Sequence, residues 1–169
     1  MTDPIQDVID KQAITELIYT YCRAVDRLDI ALGHSIWHED GYADYGADYY
    51  QGPGRGVIDT ICEHHLGLAS HSHQVSNILI NLDGDDAGSE SYVTGSMQME
   101  RDGKTMQIGV WGRYLDRWQR RAGKWGLLHR VVTFDHQEVR EVQTMPGHGI
   151  ASARSGDDPS YAVLRGGRP

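Results

Sequence analysis

The chain has 169 residues, of which 39% are apolar, and a formal net charge of −8 at pH 7. This is the length of one domain with a sizeable core, and the acidic balance argues against a nucleic-acid partner, because phosphate binding needs clustered lysine and arginine. No apolar run approaches the roughly 20 residues of a membrane span, and the acidic opening MTDPIQDVID is unlike a signal peptide. We therefore expect a cytoplasmic protein with no membrane partner, and we expect Cys22 and Cys62 to be buried free thiols.

Three helices are predicted in the first 70 residues. The first begins at Asp3-Pro4 and carries one apolar face, formed by Ile14, Leu17, Ile18, Tyr21, Cys22, Val25 and Leu28. A short second helix is expected in LDIALGHSIWHEDG, ending near Gly41, followed by a short strand in YADYG. After the loop YYQGPGRG, the segment GVIDTICEHHLGLA predicts the third helix.

The rest of the domain is predicted to be four long strands in a meander. Strand-like runs from residue 70 onward are separated by Asp83-Gly84-Asp85, Asp102-Gly103 and Ala122-Gly123, which are typical hairpin turns. Helices followed by antiparallel strands indicate an α+β fold, with helices covering one face of a curved sheet. We assign residues 1–142 to this domain. Residues 143–169 lack periodicity and are expected to be mobile or to lie on a neighbouring subunit.

Two histidines open the first long strand, in SHSHQVSNILI. His71 and His73 alternate and therefore project from the same face. A metal site is not predicted, because no third ligand follows in 75–77, and the adjacent His64 and His65 point about 100° apart on a helix. From the residues alone, His71 is an exposed or strand-end side chain. His73 is either a buried, hydrogen-bonded imidazole or a catalytic one.

Other polar residues have structural interpretations as well as functional ones. Asp26 lies at the edge of the first helix's apolar stripe, and Tyr21 lies near its centre as a core aromatic. Arg130 alternates with apolar residues, so it either pairs with Asp116 on the previous strand or holds a ligand; the ion pair is the favoured interpretation. Trp111 adds bulk to the same sheet.

Together these features resemble a known family. The sequence motifs are similar to those of SnoaL-like domains of the nuclear-transport-factor-2-like superfamily. In chain order they are a helix with Y-x-x-x-x-D, then W-H-E-D-G, then Y-Q-G-P-G before a helix, a strand histidine, and finally G-R-Y-L-D-R-W, G-K-W and H-R. The resemblance covers roughly residues 8–140. It implies a cone-shaped α+β barrel with three N-terminal helices packed on a strongly curved, mostly antiparallel sheet, and a deep pocket at the wide end.

Within that superfamily, the chain most resembles the group of scytalone dehydratase, hexachlorocyclohexane dehydrochlorinase and bile acid 7α-dehydratase. These are cofactor-free lyases with a His–Asp dyad. The resemblance implies that His73 is the base, Asp26 its partner and Tyr21 a proton or hydrogen-bond donor. Substrate-binding roles are implied for Arg130 and, with less correspondence, for three further residues: His71, Asn77 and Trp111.

The expected activity is therefore elimination of water or hydrogen halide from a mostly apolar cyclic small molecule, without cofactor or metal. Two alternatives remain open: an isomerase or polyketide cyclase, and a non-catalytic subunit resembling the β-subunits of ring-hydroxylating dioxygenases. The relatives and an outer sheet face rich in Trp, Tyr and Leu predict a homo-oligomer, with a trimer favoured and a dimer possible.

Overall fold

A computed structural model of the chain describes residues 3–145 and 147–165. The first helix, α1, spans Pro4–Arg27. Asp3 accepts a 3.0 Å hydrogen bond from the backbone N–H of Ile5, and Pro4 takes a first-turn position, where an N–H would have no helical partner. The helix stops at Leu28, whose φ of 54° is left-handed. Asp26 is thereby fixed in the last turn.

The region after α1 differs from the sequence-based expectation. The second helix, α2, is only Ile30–Ser35, and strand β1 already begins at Trp37 and runs to Asp44. The expected helix up to Gly41 is wrong because this segment pairs in parallel with a later strand, and pairing overrides the local helical pattern. A short strand, β2 (Gln51–Pro53), lies in the expected loop, and α3 spans Gly54–Leu66.

The meander of four long strands is confirmed, as β3 (Ser70–Asp83), β4 (Asp86–Arg101), β5 (Lys104–Arg121) and β6 (Lys124–Glu141). The six strands form one sheet in the order β2-β1-β6-β5-β4-β3, antiparallel except for β1 with β6. Asp102 and Ala122 adopt positive φ, as do the glycines that follow them, which is the conformation tight hairpins need.

The α+β cone is confirmed: the helices pack on the concave face of the curved sheet. The core lies between them and is formed by apolar side chains from both layers, among them Ile14, Ile18, Val25, Val57, Ile58, Trp118 and Leu127. Cys22 and Cys62 are buried free thiols, as predicted. Within the described residues, no helix is long and apolar enough to cross a membrane.

The described part of the C-terminal segment makes contacts with its own chain. A short helix, α4, spans Pro159–Leu164, and its cap Asp158 lies 3.7 Å from the guanidinium of Arg27. The Tyr161 hydroxyl donates to Asp29 at 2.7 Å. Residues 158–161 therefore rest against the end of α1 and the residue that caps α2. These contacts use individual polar side chains, which hydrophobic periodicity does not detect. The domain boundary at residue 142 stays a prediction.

Candidate active site

A cavity of about 410 Å³ opens between the sheet and helices α1 and α3. Its lining is mostly aliphatic and aromatic, with Tyr and His as its main polar members and no carboxylate or ammonium group among the described residues: Tyr21, Val25, Tyr45, Tyr49, Ile61, His64, His65, Leu68, His73, Val93, Gly95, Met97, Ile108, Val110, Tyr114, Val132, Phe134 and Gln137. This size and lining suit a small, mostly apolar ligand.

His73 and Asp26 meet at the wall of this cavity. The Asp26 Oδ1 atom lies 2.7 Å from His73 Nδ1, and the backbone N–H of His73 donates to Oδ2 at 3.0 Å. The contact between these two side chains, which the family resemblance implied, is therefore present. A carboxylate can only accept, so Nδ1 carries the proton and Nε2 is left as the basic nitrogen.

Gly95 leaves space beside that nitrogen. It is the direct partner of His73 across strands β3 and β4. A Cβ atom at Gly95 would lie 3.7 Å from Nε2, in ordinary contact, and any larger side chain would extend into the space in front of the imidazole. The absence of a side chain here keeps the basic nitrogen accessible from the cavity.

Arg130 and Asp116 form a buried ion pair, which confirms the favoured interpretation of the sequence. Two bonds of 2.7 Å join the guanidinium Nε and Nη2 to the two carboxylate oxygens, and both side chains are fully buried. The guanidinium stacks 4.1 Å from the ring centre of Tyr21 and 3.9 Å from that of Tyr114. Arg130 is therefore not in the cavity lining. The rings of Tyr21 and Tyr114, which do line the cavity, cover its guanidinium.

Tyr21 belongs to a hydroxyl pair that the sequence did not predict. Its hydroxyl shares a hydrogen bond with that of Tyr45, which follows the end of β1. Burial raises the pKa of both phenols, so both keep their protons at neutral pH. The arrangement places proton-bearing hydroxyls and a basic imidazole in one cavity.

Comparison with known proteins gives the family of the chain. The family model described as a SnoaL-like domain matches residues 6–131. The chain belongs to the SnoaL-like domain family. This confirms the predicted membership of the nuclear-transport-factor-2-like superfamily. No curated protein matches the chain.

Several solved structures share the fold of this SnoaL-like domain. Hexachlorocyclohexane dehydrochlorinase LinA-type3 from Novosphingobium barchaimii is 15% identical, with 86% of this chain and 100% of that chain covered and a TM-score of 0.71. A scytalone dehydratase candidate from Novosphingobium aromaticivorans is 20% identical, with 86% and 97% covered and a TM-score of 0.70. Kfla4162 from Kribbella flavida is 18% identical, with 78% and 95% covered and a TM-score of 0.69. At these identities the likeness establishes the fold.

Three residues expected at the pocket lie elsewhere in the SnoaL-like domain. His71 is buried behind the lining, with Nε2 3.1 Å from the carbonyl oxygen of Val25. Asn77 is exposed, with a φ of 50°, where the pairing of β3 with β4 is interrupted. Trp111 faces away from the cavity, stacked on His136 with ring centres 4.3 Å apart. These three side chains therefore do not line the pocket, contrary to the expectation.

His65 is a cavity residue that the sequence considered only as a metal ligand. It is 8% exposed, whereas the neighbouring His64 is exposed and faces the ring of Tyr49. In the described part of the chain, no group of three or more His, Cys, Asp or Glu side chains is arranged to hold a metal ion. The signal for His65 is its position four residues after Ile61, on the apolar face of α3.

Proposed function

We propose that the chain is a cofactor-free lyase, a dehydratase or dehydrohalogenase, acting on a mostly apolar cyclic small molecule. The observation that carries the proposal is the 2.7 Å contact between His73 Nδ1 and Asp26 at the wall of an apolar cavity. The carboxylate of Asp26 fixes the tautomer of the imidazole and stabilises the imidazolium that forms when Nε2 takes a proton. The fold alone does not determine this activity, because one scaffold hosts unrelated reactions.

The elimination removes a proton and a leaving group from neighbouring carbons. His73 Nε2 takes the proton, the electron pair of the C–H bond becomes the new carbon–carbon double bond, and the leaving group departs with the electrons of its own bond. A departing hydroxyl needs a proton, which the Tyr21–Tyr45 pair can donate. Arg130 is stacked behind the ring of Tyr21 and holds that ring in place, so we assign it a positioning role.

The lining restricts the class of substrate. A carboxylate or phosphate on the substrate would be desolvated in this cavity, because no arginine or lysine is among its lining residues and the nearby Arg130 is covered by tyrosine rings and already paired with Asp116. A neutral ring with a few polar substituents fits the volume and the lining.

A screen in deuterated water tests the proposal. Hydroxylated steroids, thioesters of bile acids and halogenated cyclic compounds are incubated with the wild-type chain and with His73→Ala, and the products are analysed by mass spectrometry. We expect loss of water or hydrogen halide with the wild-type chain only. Deuterium uptake without elimination indicates the isomerase instead. Co-purification of a larger catalytic subunit, with no proton exchange in any compound, indicates the non-catalytic alternative.

We also propose that the chain works as a homo-oligomer, with a trimer favoured. Leu79, Tyr92 and Val139 are exposed apolar side chains on long strands, and such side chains favour association. Light scattering is expected to give a multiple of the 18.9 kDa chain mass. A monomer at micromolar concentration contradicts this proposal and leaves the proposed chemistry unaffected.

A further inference from the structure

His65 stands beside the proposed base, and the proposed elimination does not use it. Its ring is nearly parallel to that of His73, with an interplanar angle of 15° and ring centres 5.8 Å apart. Both rings line the same cavity. A substrate whose C–H bond faces His73 therefore presents its neighbouring atoms to His65.

The two ring nitrogens of His65 have different surroundings. Nδ1 is fully enclosed and has no hydrogen-bond partner among the described residues. Nε2 also makes no hydrogen bond there but is not enclosed, so it is the nitrogen that faces the cavity. A neutral imidazole carries one N–H, and an enclosed N–H without a partner is rarer in proteins than an enclosed acceptor. The N–H therefore belongs on Nε2, directed into the cavity.

The imidazole of His65 stays neutral. Burial, followed by the nearby His71 and His73 rings, lowers its pKa to about 3. Arg154 strengthens this arrangement: its Nη1 donates to the carbonyl oxygen of His65 at 2.8 Å and lies 3.4 Å from His71 Nδ1. In this group of rings only His73 has a carboxylate partner, so the imidazolium that forms when a proton is taken from the substrate is stabilised at His73 and not at His65.

We propose that His65 is a substrate-binding residue whose Nε2–H donates a hydrogen bond to a carbonyl oxygen next to the C–H bond that His73 deprotonates. The inference rests on the proposed function and narrows its substrate class to neutral cyclic compounds with a carbonyl group and a leaving group on the β-carbon. A purely hydrocarbon or halocarbon ring leaves this N–H without a partner, which weakens the binding of such a ring.

The hydrogen bond from His65 Nε2–H to the substrate oxygen strengthens as the reaction proceeds. When His73 takes the proton, the C–H electron pair forms a carbon–carbon double bond and the carbonyl π pair moves onto oxygen as an enolate. The enolate oxygen then reforms the carbonyl, the electron pair of the enolate double bond forms the new double bond between the α- and β-carbons, and the leaving group departs from the β-carbon with the electrons of its own bond. A neutral imidazole stabilises the enolate oxygen without protonating it early, as preorganised donors do at developing oxyanions.

A binding experiment with compounds that the chain does not turn over tests the inference. 2-Naphthol, which mimics the planar enolate with an oxygen, and naphthalene, which lacks the oxygen, are titrated against the full chain and followed by ligand fluorescence. We expect the wild-type chain to prefer naphthol by at least about tenfold, or about 1.4 kcal/mol. His65→Leu should lose most of that preference with naphthalene binding unchanged, and His65→Gln, which keeps an N–H donor, should retain part of it.

His34→Leu is the matched control, since His34 lies on the surface with its ring bonded to Asp59; it should keep the wild-type preference. Ring-nitrogen NMR of the wild-type chain adds a readout that needs no variant: His65 should be the neutral Nε2–H tautomer at pH 7 and should shift on naphthol binding. A charged or Nδ1–H imidazole overturns the inference. The inference is also overturned if the wild-type chain does not prefer naphthol over naphthalene. It is overturned as well if His65→Leu keeps that preference and Tyr45→Phe removes it. None of these outcomes depends on whether a lyase substrate is found.

Discussion

Replacing His73 with alanine is expected to lower kcat by about 10²–10⁴, the usual contribution of a general base, for whichever compound the screen finds active. Binding of the same compound should change by no more than about tenfold, or about 1.4 kcal/mol. The base acts on the transition state, so its loss affects kcat far more than ground-state affinity. Steady-state kinetics, together with a direct titration of the compound, separates the two effects.

Asp26→Asn and His34→Ala complete this test. Asparagine keeps the size of Asp26 but presents an amide to His73 Nδ1, so the rate should fall through a mis-set tautomer while the thermal unfolding temperature stays near that of the wild type. His34→Ala removes a half-buried imidazole that lies outside the cavity lining, and it should leave kcat unchanged. If His73→Ala turns over the compound at the wild-type rate, the proposed chemistry is wrong.

The end of α1, which carries Asp26, and the start of β3, which carries His73, were predictable from the local sequence, whereas the contact between the two side chains was implied only by the family resemblance. Helix α1 is set by its cap and its apolar stripe, and β3 begins where alternation begins, so both ends follow from neighbouring residues. The hairpin turns at Asp102 and Ala122 are local in the same sense. The pairing of Arg130 with Asp116 followed from two adjacent strands of known connection.

The rest of the site depends on how the sheet curves, and the residues alone do not give this. His65 meets His73 only because the end of α3 packs beside the start of β3. Tyr45 reaches Tyr21 through a parallel pairing of β1 with β6 that nothing local indicates. Trp111 was assigned to the wrong face, although its alternation with the cavity residue Val110 places it outside.

Removing one partner of the Arg130–Asp116 pair is expected to destabilise the chain by about 3–5 kcal/mol. Arg130→Ala leaves the Asp116 carboxylate buried without its two 2.7 Å partners, and it also opens the space between the rings of Tyr21 and Tyr114. The free energy of unfolding, measured by urea titration, should fall accordingly. Arg113→Ala is the control: its bond to Glu90 is 3.0 Å long but half-exposed, so its loss should cost no more than about 1 kcal/mol.

A double variant separates the buried charge from the lost packing. Arg130→Met with Asp116→Leu removes both charges and keeps most of the side-chain volume, so it should recover much of the stability that Arg130→Ala loses. The double variant leaves no unpaired carboxylate. The free energy of unfolding that it recovers relative to Arg130→Ala therefore measures the cost of burying an uncompensated charge beneath these tyrosines. A double variant no more stable than Arg130→Ala, or an Arg130→Ala loss as small as that of Arg113→Ala, would show that the pair is not what holds this wall of the cavity.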